Sequence, residues 1–195
     1  MAQTLAHQAE ALEARALTDP HLHDDYLLQA AAVWARTGHG QHIRSQQICT
    51  TLIEQGSKLT RAARLQLLEL HLEHDERDLA RAQLAALAEE PSLTTLDCAG
   101  AAELLDTHHD LPAAADWYDH AAARLTDEQL DAVRNDTAPG AETATMLSDR
   151  QDVRQRLGKA PDDLDRLVTD EDEDDEELKA ALATIDKIFG HRPAP

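Results

Sequence analysis

The sequence predicts an all-α protein, and three observations carry that reading. Apolar residues recur at steps of three and four through segment after segment, the spacing that gathers them on one face of a helix. Alanine and leucine are abundant, while aromatic residues make up 3% of the 195 residues. That composition disfavours a β-sandwich or barrel, which leans on branched and aromatic side chains. Short stretches containing Gly, Pro or Asp punctuate the periodic segments, as connections between antiparallel neighbours do.

Taken in order, Thr4 to Leu17 reads as a helix with Leu5, Ala9, Leu12 and Ala16 on one face. Thr18-Asp19-Pro20 stops it, because the residue before proline is pushed out of helical geometry. Asp24 or Asp25 is the expected cap of a second helix, with Leu27, Ala30, Ala31 and Trp34 as its stripe. After the Gly38-His39-Gly40 turn comes a weaker helix anchored by Ile43, Ile48 and Leu52 and closed by Gln55-Gly56-Ser57. Leu59 to Leu72 carries two apolar lines, Ala63, Leu67, Leu70 and Leu65, Leu68, Leu72, so it should be buried on two sides. Its partner helix holds Ala80, Leu84 and Leu87 and ends near Pro91.

The stretch 96–125 is the clearest helical hairpin. Leu93, Leu96, Gly100 and Leu104 give the first helix an apolar-to-small face. The second opens at Leu111-Pro112, where proline's missing N–H is no loss, and Ala114, Tyr118, Ala121 and Leu125 line it. Ala80, Leu84 and Leu87 return as Ala114, Tyr118 and Ala121 at a step of 34 residues, and Leu70 returns as Leu104. The earlier hairpin, Tyr26 to Ile53, keeps the plan with wider spacing, Ile43 preceding Ala80 by 37 residues.

Small residues at Gly100, Ala101, Ala114 and Ala121 around one large ring at Tyr118 resemble a copy of the tetratricopeptide repeat (TPR), whose period is also 34. Ala114, Tyr118 and Ala121 match the family's second helix. Cys98 stands where the family often has tryptophan, and His109 where it often has glycine. The resemblance covers roughly residues 24–125. It implies a right-handed superhelical stack of about three TPR-like helical hairpins with a helical C-terminal extension, and a concave groove for a protein or peptide.

Beyond the array, Thr126-Asp127-Glu128 starts a short helix (Leu130, Val133), and 135–140 is a loop. Glu142 to Leu157 is helical and holds Arg150, Arg154 and Arg156, the densest basic cluster. An array ending in such a helix resembles uncharacterised actinobacterial proteins; the cysteine-rich zinc motif that some of those carry has no counterpart in this sequence. Gly158 and Pro161 break the helix, and 162–168 adds a short turn or helix. Asp170, Glu171, Asp172, Glu173, Asp174, Asp175, Glu176 and Glu177 form an unbroken acidic run. Such a block repels itself and stays solvated. Leu178, Leu182, Ile185 and Phe189 then share a helical face. The expected organisation is therefore a TPR-like array over 1–134, a helical cap with the arginine-rich helix over 135–169, an acidic linker over 170–177 and an amphipathic helix over 178–190. That last helix is expected to lid the final hairpin, with the groove as its alternative berth.

With 18 basic and 38 acidic residues the net charge is −20. That opposes a direct grip on nucleic acid, which rests on neutralising phosphates, and on an anionic membrane surface. No window is apolar enough to span a bilayer and the N-terminus lacks a signal peptide's pattern, so the expected location is cytoplasmic. Cys49 and Cys98 read as small buried residues of a reducing compartment.

Histidines at the hairpin turns, His39, His74 and His108-His109, should align along one edge and invite a metal or pH-sensing hypothesis. Exposed turns tolerate histidine anyway, and no metal is expected. Asp170, Asp172 and Asp174 have EF-hand spacing, but Asp175 replaces the turn glycine and Ala181 the bidentate glutamate. No phosphate loop, dinucleotide fingerprint or nucleophile elbow is present, so neither catalysis nor a cofactor is expected. Trp34, Trp117 and Tyr118 should be mainly core. Trp117, one step off the Tyr118 stripe, is the aromatic expected to touch a partner. The function expected is a non-catalytic scaffold or adaptor that holds a protein or peptide in the groove. The alternative is an acidic decoy or regulator that binds a basic, nucleic-acid-binding protein through Asp170–Glu177.

Overall fold

The computed structural model describes residues 2–38, 40 and 42–169. His39, the acidic run and the segment 178–190 lie outside the described residues. Within them the regular structure is entirely helical. The elements are α1 (Ala2–Thr18), α2 (His23–Ala35), α3 (His42–Glu54), α4 (Thr60–Glu73), α5 (Arg77–Ala88), α6 (Thr95–Thr107), α7 (Leu111–Ala122), α8 (Asp127–Arg134) and α9 (Ala141–Arg156). Single 3-10 turns stand at Ala138–Gly140 and Asp165–Leu167. The chain divides into two compact units, Met1–Arg124 and Leu125–Pro195.

In the first unit α1 packs on α2, α2 on α3, α3 on α4, α4 on α5 and α6 on α7, while α4 also meets α2 and α6. The contacts run through small side chains. Ala9, Ala30, Ala31, Ala63, Ala101, Ala102, Ala114, Ala115 and Ala121 are all 0% exposed, which lets helix axes approach closely. Leu52, Leu68, Leu87, Leu105 and Tyr118 fill the remaining space. Both apolar lines of α4 are used, since Ala63, Leu67, Leu68 and Leu70 are buried.

The 34-residue recurrence extends to the backbone. α5 and α7 start and end 34 residues apart, and so do the ends of α4 and α6. Both turns place a non-glycine residue in the left-handed region, Asp75 at φ 56° and His109 at φ 63°. In each, the next N–H closes the helix end: Glu76 donates to the His71 carbonyl at 2.8 Å, and Asp110 to the Leu105 carbonyl at 2.9 Å. These bonds satisfy carbonyls that the helix leaves unpaired. His71 and Leu105 are thus equivalent buried residues. His71 manages as a polar one because its Nδ1–H donates to Glu76 Oε2 at 2.7 Å.

Polar ties supplement this thin core. Glu13 on α1 accepts from the Trp34 indole at 2.7 Å and pairs with Arg44, joining α1 to α2 and α3. Ser57 donates to Asp24 at 2.6 Å, and Lys58 pairs with Asp25 at 3.1 Å. Arg61 on α4 pairs with Asp97 at 2.8 Å, and Arg64 with Glu90 at 3.1 Å. Asp97 also completes a capping box with Thr94 that starts α6.

The structure departs from the sequence reading at three points. α2 begins at His23 after Leu22, so Asp24 and Asp25 sit in its first turn, where they favour the helix dipole without capping it. The buried face of α6 is Cys98, Ala101, Ala102 and Leu105, and Leu96 is 68% exposed. The reason is that α6 is packed by both α4 and α7, so its small residues, and not its leucine stripe, meet neighbours. Ile43, in the first turn of α3, is half exposed, and Ile48, Cys49 and Leu52 do the burying. α8 belongs to the second compact unit.

The second unit explains that assignment. Thr126 and Gln129 form a capping box at the start of α8. The end of α8 receives the 3-10 turn so closely that a Cβ on Gly140 would lie 2.6 Å from the Ala132 carbonyl. Met146, Leu147 and Val153 of α9 are buried.

Two glycine substitutions should therefore act in opposite directions. Gly140→Ala should cost roughly 1–3 kcal/mol, the usual penalty of overpacking. At Gly100 a Cβ would meet only Leu65 Cδ1 at 3.6 Å, so Gly100→Ala should stabilise by up to about 1 kcal/mol through helix propensity. Urea unfolding of the two variants beside wild type would read both signs.

Candidate functional site

A cavity of about 190 Å³ opens between α5 and the α6–α7 turn. Its apolar lining is Leu72 at the end of α4, Ala80 and Leu84 on α5, and Leu105 on α6. Asp75, Arg77 and Arg81 line it from the first turn and α5, and His108 and Asp110 from the second turn. The position of each side chain follows from the repeat. Ala80 turns inward with Ala114 as its equivalent, and both are buried. Leu84 occupies the place that Tyr118 takes in the next pair. Tyr118 is 1% exposed there, whereas Leu84 is half-buried and borders the cavity. Arg77 and Arg81 stand where α7 has Leu111 and Ala115, so α5 presents guanidinium groups where α7 presents packing residues.

Arg77 Nε donates to Asp75 Oδ1 at 2.8 Å, and Arg81 pairs with Asp78 at 2.9 Å. The bond from Asp75, with Asp110 adding to it, raises the Arg77 guanidinium above its ordinary value. All four groups are largely exposed, and exposed pairs of this kind contribute little stability. The arginines are therefore available to change partners. The arrangement offers a partly open recess in which four apolar residues meet five polar or charged ones, with charges of both signs, suited to holding a side chain and orienting what flanks it.

Trp117, the aromatic expected to touch a partner, is 7% exposed and stacks obliquely against His120 with ring centroids 5.5 Å apart. Little of its ring faces solvent. Trp34 and Tyr118 are buried, as the stripes implied. Of the turn histidines, His74 meets His42 of α3 with ring centroids 4.2 Å apart, and His108 lines the cavity. Among the described residues no group of three or more His, Cys, Asp or Glu side chains is placed to hold a metal ion. Asp170–Glu177 lies outside the described residues.

The arginine-rich helix pairs with aspartates of the segment that follows it. Arg150 donates to Asp165 Oδ1 at 2.6 Å and, through both terminal nitrogens, to Asp162 at 3.1 and 2.6 Å. Arg154 Nε donates to Asp165 Oδ2 at 3.0 Å. Arg150 is 5% and Asp165 1% exposed, so the charges are paired where water is excluded. Asp165 also accepts the Asp162 N–H at 3.0 Å. This cluster ties the segment after Gly158 back onto α9. Its aspartates precede the run by several residues, and their i, i+3 spacing was the available signal.

Comparison with protein families, curated proteins and solved structures finds no match for this chain. Among the described residues no helix is long and apolar enough to cross a membrane.

The thiols are poor nucleophiles. Burial pushes Cys49 up to about 12, against a small opposing effect of the Ser45 hydroxyl, and burial likewise raises Cys98. Neither should react with Ellman's reagent at pH 8 in the native protein, and both should react in denaturant; fast native labelling of either would contradict its burial.

Acid should weaken both units. The Arg150 hydrogen bonds hold Asp162 far below the usual carboxylate range, and Arg44 holds Glu13 below its own. Each lowered group contributes stability that is complete above its unfolded value near ~4 and is lost as pH falls through the folded value. Asp162→Asn and Glu13→Gln should therefore be less stable at pH 7 and flatten the decline below pH 4, measured by denaturation midpoints. Asp165→Ala, which removes the buried carboxylate that Arg150 and Arg154 share and leaves them Asp162, should cost about 1–3 kcal/mol.

Proposed function

We propose that this protein is a non-catalytic scaffold or adaptor whose first unit holds a protein or peptide in a groove. In this reading residues 24–125 form a right-handed superhelical stack of about three degenerate TPR-like hairpins. The observation that supports it most is the recess between α5 and the α6–α7 turn. It lies where the 34-residue pattern substitutes Leu84 for the tyrosine that fills the following pair. A stack that merely needed to be stable would gain by closing it. Its size fits a single anchoring side chain, so partner recognition rests on one apolar residue with charged flanks meeting Arg77, Arg81 and Asp110.

The net charge of −20 favours a second reading, an acidic decoy or regulator that draws a basic partner to Asp170–Glu177. The two readings part on salt and on the recess. Affinity capture from the native cell would compare wild type, Leu84→Tyr, Arg81→Glu and a variant with Asp170–Glu177 neutralised, at low and high salt. A groove partner is lost with Leu84→Tyr, reduced by Arg81→Glu and held in high salt. A decoy's partner is lost in salt and on neutralising the run, and is indifferent to Leu84→Tyr. That indifference would overturn the adaptor reading, provided circular dichroism shows the variant folded.

A further inference from the structure

We draw no further inference here: the strongest candidate, the cavity between α5 and the α6–α7 turn, belongs to the site already described, and nothing in the structure shows what covers it.

Discussion

Close approach of helices at alanine is the constraint on which the first unit depends. Nine alanines there are completely buried. Each contributes little apolar area, so the gain must come from many dispersion contacts between backbones brought near to one another. Larger side chains at Ala30, Ala101 or Ala114 would force the axes apart. The few large residues, Tyr118 and a handful of leucines, then fill the gaps left where helices diverge. This is how a chain with 3% aromatic residues assembles a core. It also fits the use of two apolar faces by α4, which is placed between α3, α5 and α6.

A thin core places weight on the connections. The turns at Asp75 and His109 share a left-handed residue and the same six-residue closure, which sets the direction of α5 and α7 relative to α4 and α6. Ion pairs and capping bonds then lock neighbouring elements: Glu13 gathers Trp34 and Arg44, and Asp97 serves both Thr94 and Arg61. Partly buried pairs of this sort hold register more than they add stability. In the second unit the same role falls to Arg150, Arg154, Asp162 and Asp165, where two arginines share two aspartates and Asp165 is fully buried.

Against this regular background the recess beside α5 stands out as a break in the repeat. Its physical origin is local: leucine for tyrosine at one position, arginines for leucine and alanine at two others. The three differing residues, Arg77, Arg81 and Leu84, all line the recess. The legibility of the site follows the same division. Aligning 77–88 with 111–122 would have exposed all three differences, but an apolar stripe alone treats Leu84 and Tyr118 as interchangeable.

The sequence by itself determined the helices, their turns and the 34-residue period, because helical spacing and chain-breaking residues are local properties. It located the stripes of α1, α4 and α7 for the same reason. Which face of α6 is buried was a tertiary decision: Leu96 has the more apolar side chain, yet Cys98, Ala101, Ala102 and Leu105 face α4 and α7, and burial belongs to whatever has neighbours. So was the choice of partners for Arg150 and Arg154. The break at Gly158 returns Asp162 and Asp165 to α9, and a buried ion pair needs that geometry as much as it needs charge.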